Sequence, residues 1–514
     1  MHPFGIYGYS YLPFRIHPSP CRKIKQQKYY YKIEITNKNS PYWFPRKTES
    51  FHYFSFFKSL LPSYLLSNSL CFRKNTIFVK KLMQIIMTQQ HTKIKKVLVI
   101  TYYWPPAGGP GVQRWLKFAK YLPTSEVIPV ILTVDPHKAE YPIQDPTLQK
   151  DVDPNILVYK TTAKGLYSLY KKFTRAKTAP YSGFVNEGKP RFRQKVARFI
   201  RGNFFLPDAR KGWNKYAYAK AVELIEKYNI QTVITTGPPM STHLIGLKLK
   251  KNKNIKWIAD FRDPWTDIYY YHDLYPTRIA QAIDKAYERE VLEKSDIVLT
   301  ANFIKEKLVC KSSKIIPEKI HVLTNGFDEE DFKTEGANKK EEFTITYAGT
   351  LASSYPVQPF IDAVAELYPE KKIVLQFVGK VSEEHKAYIT SKKNIKAVFT
   401  GFIPHERAVR ELIESQLLLL IFHHTNQNEG HMPGKLFEYL AARTPILCIE
   451  DRESMAGKII RDCRSGITLS FHDKEGIKKF ISTAYTQPEF QGDSEKISRY
   501  SRQTLTARLS QFID

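Results

Sequence analysis

The sequence predicts an α/β protein made of two Rossmann-like, doubly wound domains. Three observations carry that reading. From residue 95 onward, short apolar runs of strand type alternate with amphipathic stretches of helical period, the pattern of parallel sheets covered on both faces. That pattern persists to the end of a 514-residue chain, too long a stretch for one open sheet and its helices. A polar stretch at 327–342 without apolar periodicity, Asp328-Glu329-Glu330-Asp331 followed by a Lys- and Glu-rich run, divides it. The expected boundaries are 94–330 for the first domain, 331–342 for a linker, 343–493 for the second domain and 494–514 for a final helical segment.

Residues 95–101 read as a buried parallel strand, which ends in the turn-rich Pro105-Pro106-Ala107-Gly108-Gly109-Pro110-Gly111. A helical pattern over 112–121 follows, with Trp115, Leu116 and Ala119 on one face. Further strands are expected near 128–133, 231–236, 256–260 and 295–300, and in the second half near 343–348, 372–378, 396–399, 416–421 and 445–448. Helices are expected at 214–228 and 277–293, then at 356–368, 405–414 and 433–442.

Composition is ordinary except for charge. With 42% hydrophobic residues and five cysteines, the chain is neither disordered, collagen-like nor a disulfide scaffold. The net charge of +29 is concentrated in two places. Residues 1–86 hold 14 Lys/Arg against Glu34 and Glu49, and residues 171–220 hold 14 against Glu187 and Asp208. The remainder is nearly balanced, which argues against a protein that coats nucleic acid. Residues 1–86 lack helical or strand periodicity and are expected to be upstream sequence outside the working protein, or a disordered extension, with the functional start at Met87 or Met83. A peripheral membrane anchor is the alternative, because 51–70 is fairly apolar although Lys58 and Pro62 interrupt it. The odd cysteine count without close pairs points to a reducing compartment.

Parallel sheets bind ligands at the carboxyl ends of their strands, so the loops there hold the candidate chemistry. Gly108-Gly109-Pro110-Gly111 precedes a helix whose free N–H groups favour an anion, yet it matches neither a Walker loop nor a dinucleotide fingerprint. Thr235-Thr236-Gly237-Pro238-Pro239-Met240-Ser241 also follows a strand. In the segment 257–265, Asp260, Arg262 and Asp263 sit at a strand end. The acids suit a general base or hydroxyl recognition and Arg262 suits phosphate, with a structural Arg262–Asp263 ion pair as the alternative. Pro433 suits the first turn of a helix, which leaves the N–H groups of Gly434 and Lys435 and the Lys435 ammonium to face a phosphate. Glu438 falls one turn later on the same face. His423, His424 and His431 lack the acidic partners of a metal site, so no metal is expected.

These segments resemble GT-B glycosyltransferases of the family 4 type (glycosyl transferases group 1) over about residues 95–512. The landmarks run in family order: the glycine loop, Asn325-Gly326-Phe327-Asp328, Tyr347-Ala348-Gly349-Thr350, Phe377-Val378-Gly379-Lys380, Thr400-Gly401-Phe402-Ile403-Pro404, and Pro433-Gly434-Lys435-Leu436-Phe437-Glu438-Tyr439. The resemblance implies a retaining, metal-independent transferase acting in the cleft between an acceptor domain and a nucleotide-sugar domain. It implies no cofactor beyond the nucleotide-sugar co-substrate. Gly109, Gly111, Gly349, Thr350, Gly434 and Lys435 would hold the donor diphosphate, Gly379, Phe402 and Ile403 would border the base, and Glu438 would bind the ribose. The final helix would cross back to the first domain.

Two departures bear on catalysis. Eight residues separate Glu429 from Glu438 where the family usually has seven, and Arg262-Asp263 stands where many members have His-Asp. The catalytic candidates are therefore Arg262, Asp263 and Glu429, and a scaffold without activity is an alternative. The segment 191–205 is a basic amphipathic helix, with Phe192, Val196, Phe199 and Ile200 on one face. It fits the inner leaflet of a membrane and hence a glycan or lipid-linked acceptor, as in cell-surface polysaccharide synthesis by a cytoplasmic, peripheral enzyme. A solvated basic face, or a membrane- or nucleic-acid-binding protein without catalysis, is the competing reading.

Overall fold

A run of Val, Ile and Leu has no polar face to give to water, so each such run here becomes a strand buried on both sides. The computed structural model describes residues 95–164, 192–333, 336–367, 371–393, 395–422, 432–487 and 489–513. The described residues all belong to one compact unit, 92–514. The expectation for 1–86 lies outside the described residues.

The first sheet contains β1 (Lys95–Ile100), β2 (Val127–Val134), β3 (Leu157–Thr161), β4 (Thr232–Gly237), β5 (Lys256–Phe261), β6 (Ile297–Thr300) and β7 (Ile320–Val322). All are parallel, in the order β3-β2-β1-β4-β5-β6-β7. Its helices are α1 (Pro110–Tyr121), α2 (Phe192–Phe204), α3 (Asn214–Tyr228), α4 (Ser241–Asn252), α5 (Arg278–Lys294) and α6 (Lys305–Val309). The second sheet contains β8 (Phe343–Ala348), β9 (Ile373–Val378), β10 (Lys396–Gly401), β11 (Leu417–Ile421), β12 (Ile446–Ile449) and β13 (Gly466–Leu469), in the order β10-β9-β8-β11-β12-β13. Around it lie α7 (Gln358–Leu367), α8 (Glu383–Ser391), α9 (His405–Glu414), α10 (Gly434–Ala441), α11 (Met455–Asp462), α12 (Lys474–Thr486) and α13 (Ser494–Ser498). The last helix, α14 (Arg502–Ile513), returns to the first sheet.

The strands missed in the sequence, β3, β7 and β13, lie at sheet edges, where one side is open and the apolar run shrinks to three to five residues. Each sheet is covered on both faces. On one face of the first, Ala217 and Leu224 of α3 pack with Val291 of α5; on the other, Trp115 and Phe118 of α1 pack with Leu505, Leu509 and Ile513 of α14. The order in which strands are added reverses between β1 and β4 and between β8 and β11, so the crevices open at the loops after β1, β4, β8 and β11.

The start of the expected linker is pinned. Lys117 of α1 lies 2.8 Å from Asp328 and 3.2 Å from Asp331, and Lys120 and Tyr121 also bond Asp328. These contacts hold the Asp328 carboxyl far below its ordinary range, although burial alone would raise it. A polar run without periodicity is thus bound by charge where apolar packing is absent.

The loops of the first sheet meet on one buried carboxylate. Asp260, at the end of β5, accepts from Arg114 Nη2 at 2.9 Å and Nε at 3.2 Å, from Trp115 Nε1 at 2.7 Å and from Thr236 Oγ1 at 2.9 Å. Arg114 also donates to the Thr324 carbonyl at 2.9 Å. Asp260→Ala leaves the fully buried Arg114 guanidinium without its anion and is expected to cost about 3–5 kcal/mol. Urea unfolding measures it, and a loss below about 1 kcal/mol would show that Asp260 does not organise these loops.

Candidate active site

In the first domain the glycine loop turns at Gly109, whose φ of 98° favours glycine, and α1 starts at Pro110. Arg262, just past β5, is buried, and its fork reaches backbone carbonyls: Nε donates to Gly237 at 3.2 Å, Nη1 to Gly111 and Nη2 to Pro238. The arginine read as a phosphate or catalytic group is therefore spent on joining two loops, and it does not form the alternative ion pair with Asp263. A Cβ on Gly111 would lie 2.3 Å from Arg262 Nη1, which explains that glycine by packing. Asp263 remains half-buried beside Tyr269 and Tyr270.

In the second domain, Gly349 and Gly379 both have positive φ, 124° and 114°. A Cβ on Gly379 would lie 2.4 Å from the Gly349 carbonyl oxygen, so the turns after β8 and β9 touch. Lys435, in the first turn of α10, leans over Gly349. A Cβ there would be 3.9 Å from Lys435 Cδ. Lys435 Nζ donates to Tyr347 Oη at 2.8 Å and sits 4.2 Å from that ring's centroid, and Tyr347 donates to the Thr350 carbonyl at 2.9 Å. No side chain caps α10, so its first N–H groups point out beside the Lys435 ammonium. Burial lowers the Lys435 pKa to about 7.

Glu438, one turn on, is also half-buried. Burial raises its pKa, opposed by the nearby charges of His405, Arg502 and Lys435. His405 Nε2 lies 3.6 Å from Asp331, which raises the histidine's pKa. Arg502 is buried on α14, and its Nη1 has no hydrogen-bond partner among the described residues. The Phe402 side chain is 93% exposed on the loop after β10, with Ile403 half-buried beside it. Glu429, with His423, His424 and His431, lies outside the described residues.

The two halves join through a residue the sequence reading missed. Asn302, just beyond β6, donates to the Arg262 carbonyl at 2.8 Å and accepts from the Met432 backbone N–H at 2.9 Å, two residues before α10. Its place at a strand's carboxyl end was the available signal. The structure thus brings Gly111 to Arg262, Gly379 to Gly349, and Gly349 to Lys435, with Thr350 joined to Lys435 through Tyr347.

Two parallel-sheet α/β domains with their loop crevices linked in this way define the GT-B architecture. Residues 328–504 match the sequence model of Glycosyl transferases group 1. The chain has the fold of the GT-B glycosyltransferases, and its carboxyl-terminal part, residues 328–504, is of the group 1 type. Among solved structures it is similar to a sucrose-phosphate synthase from Thermosynechococcus elongatus, at 13% identity and TM-score 0.53, covering 81% of this chain and 98% of that one. It is also similar to a glycosyltransferase from Rickettsia africae, at 14% identity and TM-score 0.51, covering 82% and 98%. Anabaena HepE, crystallised with UDP and glucose, is similar at 11% identity and TM-score 0.50, covering 81% and 98%. At these identities the likeness is one of fold. No curated protein matches the sequence.

An anion placed against the Gly349 turn meets the Lys435 ammonium, which is present below about pH 7 and lost above it. Pyrophosphate binding followed by calorimetry should therefore weaken as pH rises through neutrality. Lys435→Met should bind weakly at every pH, and a steep profile retained in that variant would assign the titration to another group.

Proposed function

We propose that this protein is a retaining, metal-independent glycosyltransferase of the family 4 type that moves a sugar from a nucleotide-sugar to a glycan or lipid-linked acceptor in cell-surface polysaccharide synthesis. The observation that carries the reading is the convergence of Lys435, the open N-terminus of α10 and the Gly349–Gly379 turns on one crevice. The leaving group is a nucleoside diphosphate, and its developing charge needs fixed positive potential. The ammonium and the helix N-terminus supply it without reorganisation. Close-packed glycines let backbone approach the phosphates.

Glu438, held among His405, Arg502 and Lys435, is the ribose ligand in this reading, with Phe402 and Ile403 beside the base. Asp263 faces the cleft as the acceptor-side acid. Gly109 and Gly111 close on the donor from the first domain, and Arg262 acts by holding Gly111 in place. Retention follows from the resemblance: the acceptor oxygen attacks the anomeric carbon on the face from which the diphosphate departs. Glu429 takes the first-glutamate role.

The acceptor is placed at the cytoplasmic face of a membrane, which residues 191–205 would meet. Among the described residues no helix is long and apolar enough to cross a membrane.

A panel of UDP-, GDP- and ADP-sugars, assayed for transfer and hydrolysis, tests the activity. Because HepE was crystallised with UDP and glucose, uridine donors come first. Lys435→Ala and Glu438→Ala should each lower kcat/KM for the donor by about 100-fold or more. Unchanged donor binding in both variants would remove this site from the reaction.

A further inference from the structure

The described residues expose twelve large apolar side chains, and seven of them fall on two elements of the first domain and the turn between them. On α2, Phe192 is 80% exposed and Phe204 75%, with Val196 and Phe199 also in solvent. On α5, Ile279 is 74% exposed, followed by Ile283 one turn later. Phe192, Val196 and Phe199 follow helical spacing, opposite the buried Ala197, Arg198 and Gly202. Scattered apolar residues are normal on a surface, but a contiguous patch marks an interaction site.

The two helices are tied together. Asn203 of α2 donates to the Tyr275 carbonyl at 3.0 Å and accepts from the Thr277 N–H at 2.7 Å, at the cap of α5. Gly202 packs so closely on Leu274 that a Cβ would lie 2.3 Å from its carbonyl oxygen. The patch is thus a built face with a fixed relation between its halves.

Its charge selects the partner. Helix α2 contains no acid, and Arg193 and Lys195 are exposed on it. On α5, Arg278, Lys285 and Arg289 are exposed while Asp284 and Glu288 are buried. Glu290 pairs with Lys251 at 2.6 Å, and Glu293 accepts from Ser312 at 2.5 Å. Exposed apolar anchors in a field of cations with few free acids match the headgroup and acyl boundary of an anionic bilayer.

We propose that the joint α2–α5 face docks this protein on an anionic lipid bilayer, with Phe192, Val196, Phe199 and Ile279 as the inserted side chains. This extends the surface well beyond 191–205, and it rests on the glycosyltransferase reading for its purpose, not for its chemistry. The face is also tied along the chain to Asp263. The chain runs from Asp263 to Ile279 through Tyr270, which lies within electrostatic reach of both Asp263 and Arg201 of α2. A lipid-linked acceptor held at the face would have its polar end beside Asp263.

The test is sedimentation of the full chain with vesicles of phosphatidylcholine alone and of phosphatidylcholine with phosphatidylglycerol. The wild type should bind the anionic vesicles selectively and lose binding as salt rises. Phe192→Ser combined with Ile279→Ser should lower vesicle binding by about tenfold or more, and both positions are exposed enough to leave the fold intact. Ile279→Ser alone should already weaken it, which a surface confined to 191–205 would not show. No binding to anionic vesicles at low salt, or equal binding by the double variant, overturns the proposal. So does self-association that the double variant abolishes, because a second copy would then own the face. Nucleotide-sugar hydrolysis by the same preparations is read separately: vesicle binding without hydrolysis leaves the docking face and removes the transferase reading, whereas hydrolysis without vesicle binding does the reverse.

Discussion

The Asp260 carboxylate is a buried anion, and an anion taken out of water has to be met by donors on every side. Those donors come from α1 and from the end of β4, and Arg114 also donates to the Thr324 carbonyl in the residues that lead out of the first domain. One charge thereby sets the relative position of three strand-end loops. Arg262 repeats the logic with the sign reversed, a buried cation satisfied by the carbonyls of Gly111, Gly237 and Pro238. The crevice walls are held by groups that do not themselves face a ligand.

The second domain achieves the same end with glycine and tyrosine. Tyr439 and Lys435 lie one turn apart on α10, and both reach the carboxyl end of β8: Tyr439 Oη accepts from the Ala348 N–H at 2.8 Å, and Lys435 bonds Tyr347. A short helix is thus locked to the turn it must face. Asn302 then carries the position of that helix across to the Arg262 segment, so the two rigid walls share a backbone register.

Much of this was legible in the chain. Ten strands and most helices follow from apolar runs and periodicity, because a strand buried on both faces is written as such a run. Of the four edge strands, β10 was legible, whereas β3, β7 and β13 are too short to leave a run. The places of the loop glycines after strands and of Lys435 at a helix start were legible. For Arg262, composition shows a cation at a strand end but not that backbone carbonyls take up its donors. Asn302 and Arg502 were invisible because their neighbours are distant in sequence. The exposed face of α5 was missed because Ile279 and Ile283 look like core residues until burial is known.

The return of α14 to the first sheet has a consequence for biogenesis. The chain leaves the first domain at Phe327 and re-enters it at Arg502, and the two crossings lie side by side, with the Phe327 N–H bonded to the Tyr500 carbonyl at 3.2 Å and the Arg502 N–H to the Phe327 carbonyl at 2.7 Å. Topologically, the second domain is an insertion within the first. Leu505, Leu509 and Ile513 complete a core begun by Val97 and Val99. A ribosome emitting this chain therefore delivers the second domain whole while one face of the first sheet is still bare, so the domain that starts first is the one that finishes last.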